Sequence, residues 1–233
     1  MENLAADIQF SQSYQPAEAG GTLAESGDHV TIHGRLEPKV CAPGEKATLV
    51  LTANVSPDWH VYRLAQEAVP DSNRVSSPTV IAFRKTSGLE YGSAHTTATV
   101  IEEPSGIEEE PTLYFHEETV SWSVPIEVPT TAKEGQYDIA GAIGYQTCTA
   151  SACDPPTGAD CQVSLTVGAA TVEGKTPLSF SPTSYQKVAD QAQTESSRQA
   201  IASKSEAIPP GKSTWSDKSL GTVLVFAFLA GLI

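Results

Sequence analysis

An all-β sandwich is the fold class predicted for residues 28–168, and three observations predict it. Apolar residues recur there with a period of two, no segment carries a helical stripe, and Gly- or Pro-containing dipeptides punctuate the apolar runs. In "KATLVLTANV" the residues Ala47, Leu49, Leu51, Ala53 and Val55 share one face, while Thr48, Thr52 and Asn54 share the other. "VSWSVPIEV" repeats the alternation with Val120, Trp122, Val124, Ile126 and Val128 inward. "YDIAGAIGY" aligns Tyr137, Ile139, Ile143 and Tyr145, and "CQVSLTV" aligns Val163, Leu165 and Val167. Strands that alternate in this way bury one face and wet the other. Seven or eight of them in about 140 residues make two sheets packed face to face, for which the closest architecture is an immunoglobulin-like β-sandwich. The acidic run "EEPSGIEEEP" at 102–111 then reads as a solvated loop between strands.

The flanks differ in composition. Residues 1–27, rich in Gln, Ser, Ala and Gly, read as a loosely ordered lead-in. Residues 169–219 turn to Ser, Gln, Lys, Ala, Thr and Pro and read as a linker, with a weak helix over Tyr185 to Ile201 whose stripe is mostly Ala. The last stretch, "LGTVLVFAFLAGLI" (220–233), carries no charge. It is short of the roughly 20 residues a spanning helix needs, and is expected to be a truncated first transmembrane helix. On that expectation the sandwich lies outside the membrane, in an oxidising compartment. The opening "MENLAADIQF" has neither a basic n-region nor a long apolar run, which fits a cytosolic chain or an export signal already processed away.

Charge removes one class of partner. The 233 residues carry 28 acidic against 14 basic side chains, a net charge of −14. A polyphosphate would be repelled, so nucleic acid is not expected as a partner.

Three of the four cysteines fall in "YQTCTASACDPPTGADCQ" at 145–162. As a staple, a bridge from Cys148 to Cys153 closes a handful of residues and would stabilise by roughly 2 kcal/mol, whereas one from Cys41 to Cys161 would give roughly 5 kcal/mol. A short bridge suits redox exchange better, because both sulfurs stay adjacent after reduction and close again quickly. "AIGYQT" reads as a strand end, and Pro155 and Pro156 remove two ladder donors just beyond Cys153. The pair is therefore expected at a sheet edge near a hairpin tip. Zinc sites favour two close Cys pairs or Cys with His, and copper(I) sites favour Met with Cys, but there is no second pair and Met1 is the single methionine. No metal and no cofactor is expected. Asp154 follows Cys153, and a neighbouring carboxylate disfavours a thiolate.

"YQTCTASACDPP", taken with "PGEKATLVLTANVSPDWHVYRL" at 43–64, resembles the periplasmic N-terminal domain of the DsbD family of transmembrane thiol:disulfide interchange proteins. The resemblance covers about residues 28–168. It implies a protein-disulfide reductase activity, with Cys148 and Cys153 as the catalytic pair. Cys153 would form the mixed disulfides and Cys148 would resolve them. It also implies His60 and Tyr62 in the lining of the site, and Tyr91 of "GLEYG" in a loop capping the disulfide. Electrons would come from a thioredoxin-like domain fed by the membrane portion. They would pass to exported thioredoxin-fold partners such as disulfide isomerases or cytochrome c maturation thioredoxins, placing the domain in the periplasm on an inner-membrane protein. Two departures stand out: Asp154 replaces an apolar or aromatic residue, and Cys41 and Cys161 are additional and could form a second, structural disulfide or both remain free. Two other functions fit the same residues. One is a non-catalytic extracytoplasmic binding sandwich whose short disulfide braces a loop. The other is copper handling through the cysteines and His60.

Overall fold

The computed structural model describes residues 21–23, 29–65, 76–84, 88–108 and 110–194. The alternation is clearest in β4 (Lys46–Val55), where Ala47, Leu49, Leu51 and Ala53 are fully buried. β10 (Thr119–Glu127) runs antiparallel to it with Trp122 opposite Leu51 and Val124 opposite Leu49. Residues directly opposite on paired strands project to the same face, so the two apolar sets form one wall. β2 (Val30–Glu37) pairs with the other side of β4, and β1 (Gly21–Leu23) and β14 (Thr176–Pro177) pair with β2. β7 (Glu90–Tyr91) pairs with β10 at the opposite edge.

A second sheet runs in the order β15 (Ser179–Ser184), β13 (Thr157–Val167), β11 (Gly135–Tyr145), β6 (Val80–Arg84), with β3 (Val40–Cys41) parallel to the end of β13. Ile139, Ile143, Ala159, Leu165 and Val167 of this sheet join Leu49, Leu51 and Trp122 of the first in one contiguous core, the arrangement of a β-sandwich. Tyr137, expected inward, is only half-buried, its hydroxyl donating to the carbonyl of Lys133 at the surface. A third, smaller sheet has the order β12 (Thr147–Cys148), β5 (His60–Tyr62), β9 (Thr112–Glu117), β8 (Ile101–Pro104). The acidic run is thus not all loop. Its first residues, Glu102 to Pro104, lie on the edge strand β8, paired with β9.

The expected end of the sandwich at residue 168 needs correction. Beyond it, β15 pairs with β13 over six residues, and a helix α1 spans residues 185–194. The Ser184 hydroxyl accepts from the Lys187 N–H, the N-cap arrangement that satisfies an otherwise orphaned donor. Val188 is fully buried and, with Tyr185 and Ala192 flanking it, covers Val80, Ala82 and Ala142 on the outer face of the second sheet. The close approach favours glycine below. A Cβ at Gly144 would lie 3.1 Å from the Tyr185 ring, and one at Gly158 would lie 3.0 Å from Val188. The linker expected over 169–219 is therefore ordered structure as far as residue 194. The expectations for 195–219, for the membrane helix at 220–233 and for most of the lead-in at 1–27 lie outside the described residues. Among those described, no helix is long and apolar enough to cross a membrane.

A chain ending at residue 168 leaves Val80, Ala82 and Ala142 uncovered and is expected to unfold at clearly lower urea than one ending at residue 194. Equal midpoints would show that β15 and α1 add nothing to the fold.

Candidate active site

The β11–β13 ladder is the frame on which the cysteine loop hangs. It ends at the pair Tyr145–Thr157, and residues 146–156 join the two strands. Within this connection β12 leaves the second sheet and pairs instead with β5, setting Cys148 opposite His60 and Thr147 opposite Val61. Pro155 and Pro156 cannot donate to a ladder, which helps release the chain here. The residues between the cysteines close a tight turn. Thr149 N–H donates to the Ala152 carbonyl at 2.7 Å, and the Thr149 hydroxyl accepts from the N–H groups of Ser151 and Ala152. Asp154 N–H donates to the Thr147 carbonyl at 2.9 Å, closing the base of this small hairpin.

Cys148 and Cys153 face each other across the turn and are joined, with Sγ–Sγ 2.05 Å and Cα–Cα 4.0 Å. Their surroundings are unequal. Cys148 is 1% exposed, in an apolar cluster with Tyr62 and Phe115, against which Ile101 and Leu113 pack. Cys153 is exposed. β12 is an edge strand, so the outer sulfur stands at a sheet margin that another protein can approach.

His60 and Tyr62 both lie beside the buried sulfur. The Tyr62 hydroxyl donates to Cys148 Sγ at 3.3 Å. Burial, reinforced by the negative charge of Glu110, holds the Tyr62 phenol above its ordinary pKa, so it remains a donor at neutral pH. Its backbone is fixed by Thr79, whose hydroxyl donates to the Tyr62 carbonyl at 2.6 Å. The His60 ring stacks on Phe115 with centroids 4.1 Å apart and meets Tyr62 edge-on at 5.3 Å. Burial lowers the His60 pKa and favours the neutral imidazole.

Asp154 is held, not loose beside the exposed sulfur. Its Oδ2 accepts from the Thr147 hydroxyl at 2.6 Å and lies 2.7 Å from His29 Nδ1. The His29 ring in turn stacks on Trp59, with centroids 3.4 Å apart and planes 6° from parallel. The carboxylate expected to oppose a thiolate is thus engaged by two partners, and it ties the cysteine loop to the start of β2.

The other named residues are elsewhere. Tyr91 stacks on Phe83 of β6, and Phe83 pairs with Gly141, four residues before the end of β11. At about 3.3 Å per residue, that is about 13 Å along the strand from the cysteine loop, so the structure does not bring Tyr91 to the disulfide. Cys41 and Cys161 are free and buried, not bridged. Cys41 pairs with Val167 on β13, and Cys161 lies six residues back along the same strand, about 20 Å away, far beyond the reach of a disulfide. Burial raises the Cys41 thiol, with Glu45 adding to the effect, and pushes Cys161 up to about 12. Both are inert core residues. Among the described residues, no group of three or more His, Cys, Asp or Glu side chains is placed to hold a metal ion.

His29, Trp59, Phe115 and Thr79 were missed by sequence reasoning. Phe115 carries a signal in the alternating "TLYFHE", but nothing local links His29 to Asp154, 125 residues away.

The class these features define is a β-sandwich with one short, half-exposed disulfide at a sheet margin. No family model and no curated protein matches the chain. Among solved structures it is similar to the N-terminal periplasmic domain of ScsB from Proteus mirabilis, at 15% identity and a TM-score of 0.41, over 63% of this chain and 50% of that one. It is also similar to the N-terminal domain of Neisseria meningitidis DsbD in its reduced form, at 13% identity and a TM-score of 0.35, over 61% of this chain and 86% of that one. The chain thus spans half the length of the ScsB structure it matches.

Replacing Tyr62 with Phe removes the hydroxyl from Cys148 and is expected to disfavour its thiolate in the reduced protein, moving thiolate formation to higher pH. Thiolate absorbance followed against pH reads this directly, and an unchanged curve would show that the hydroxyl contributes nothing. A thiol reagent at pH 8 should label neither Cys41 nor Cys161 in the native oxidised protein, but both after unfolding in guanidinium. Native labelling of either would contradict their burial.

Proposed function

We propose that the domain is a thiol:disulfide interchange module that passes two electrons through the Cys148–Cys153 disulfide. The observation that carries this reading is the division of labour between the two joined sulfurs. One is exposed at a sheet margin, and the other is buried under a donating hydroxyl. A disulfide is attacked at the sulfur a partner can reach, so a reduced partner's thiolate would attack Cys153 Sγ and displace Cys148 as the thiolate. Low-dielectric burial disfavours that thiolate, and the Tyr62 hydroxyl offsets part of the cost. The partner's second thiol then releases Cys153 and leaves as the partner's own disulfide. The domain is now a dithiol carrying two electrons and two protons. In the return half, Cys153 attacks an acceptor disulfide and Cys148 closes on Cys153.

The motif resemblance in "YQTCTASACDPP" and "DWHVYR" supports the same reading. It suggests thioredoxin-fold partners on both sides: a membrane-linked donor and exported acceptors such as disulfide isomerases or cytochrome c maturation thioredoxins. An oxidising compartment outside the cytoplasm suits a disulfide that must re-form. The sandwich itself is read as immunoglobulin-like. A purely structural role fits less well, because so short a loop gains little from closure.

The test uses single substitutions in the full chain mixed with a thioredoxin-fold protein. Cys148→Ser is expected to accumulate a mixed disulfide through Cys153, and Cys153→Ser to abolish transfer. Undiminished transfer by the double substitution would refute the interchange reading.

A further inference from the structure

Among the described residues outside the disulfide itself, His60 is the titratable side chain whose Cα pairs directly with Cys148. On antiparallel strands such a pair has its Cβ atoms about 4.5–5.5 Å apart on one face of the sheet. Both side chains are buried, His60 at 6% exposure and Cys148 at 1%. His60 Nε2 has no hydrogen-bond partner among the described residues. A buried polar atom without a partner costs free energy, of order 1–3 kcal/mol, and calls for an explanation beyond packing. A phenylalanine at position 60 would stack on Phe115 as well without that cost.

We propose that His60 is the proton acceptor that turns the Cys148 thiol into the resolving thiolate. This rests on the interchange reading and adds a role that reading leaves unfilled. A thiol 1% exposed cannot readily give its proton to water, and a thiolate is required for attack. Starting from a mixed disulfide between Cys153 and a partner, the Cys148 proton moves to the unpartnered imidazole nitrogen. Cys148 Sγ then bonds to Cys153 Sγ, the Cys153–partner bond breaks, and the partner sulfur leaves with the electron pair and takes up the proton from the imidazolium. In this step Cys148 is oxidised, Cys153 exchanges one disulfide for another, and the partner sulfur is reduced. In the opposite direction the same imidazolium returns the proton to Cys148.

The groups facing His60 suit this cycle. Tyr62, on its own strand, donates to the sulfur and does not compete for the proton. Glu117 of β9, its Cα partner on the other side, is exposed to solvent. Phe115, Leu113 and Ile101 are apolar, while Glu110 acts on Tyr62 and Asp154 is occupied by Thr147 and His29. Burial keeps His60 neutral, and so able to accept, at pH 7. The sign follows: as pH falls through the lowered pKa the imidazole is already protonated and resolution slows.

The reduced full chain mixed with an aromatic disulfide such as 5,5′-dithiobis(2-nitrobenzoate) tests this. The first coloured thiolate is released when Cys153 attacks, and the second when Cys148 resolves. In the parent the second release should fall off in acid with a midpoint below the ordinary histidine pKa of about 6.5. In His60→Phe, which keeps the stacked ring, and in His60→Gln, it should slow by about a hundredfold at pH 7 with the first release unchanged, and recover in strong alkali as the thiol ionises unaided. A parent profile lacking the acid limb, or variants whose two releases slow equally at every pH, would overturn the proposal. So would variants indistinguishable from the parent. Absence of the first release from the parent would instead remove the interchange reading, and this role with it.

Discussion

The antiparallel ladder between β11 and β13 is the constraint from which the site follows. It pairs eleven residues on each strand and ends abruptly at Tyr145 and Thr157. Backbone groups that leave a ladder must find partners elsewhere. Here the chain finds them by turning Thr147 and Cys148 onto β5 and by folding Thr149 to Ala152 into a turn of their own. The disulfide sits where these two solutions meet. Its inner half belongs to the third sheet and its outer half to the turn.

That junction separates the electrostatic surroundings of two sulfurs that are covalently joined. The inner one lies among Tyr62, Phe115, Ile101 and Leu113, where a charge is costly and a single donated hydrogen bond counts for more than in water. The outer one stands beside a carboxylate already engaged by Thr147 and His29. The stacking of His29 on Trp59 holds that engagement across the start of β2 and the residues preceding β5. Two sequence-distant segments thereby hold a loop of only a few residues.

Much of the scaffold could be read from the residues alone. The inward sets of β4 and β10 are as the alternation implies, because a strand exposed on one side has a period of two that water enforces. The hairpin-tip position of the Cys148–Cys153 pair was readable from a strand end, a cysteine pair and two prolines. What lies between residues 169 and 194 was not. The stripe of α1 is thin, and the surface it covers is made by glycines and alanines on other strands, Gly144, Gly158, Ala82 and Ala142, which carry no apolar signal of their own. The distance between Cys41 and Cys161 was likewise hidden. Both are apolar-face residues, and only the parallel register of β3 on β13 shows them to be about 20 Å apart.

By itself, then, the sequence determined which faces are apolar, where strands must stop, and which two cysteines are close enough along the chain to pair. These are local matters, decided by side-chain alternation, missing backbone donors and chain separation. Only the tertiary structure decided which sulfur is buried, that His60 stands opposite it with an Nε2 unpartnered among the described residues, and that Asp154 is bound by a histidine 125 residues away. Those depend on strand register and on the order of strands in a sheet. Both arise from contacts between distant segments, and neither is written in the residues adjoining the site.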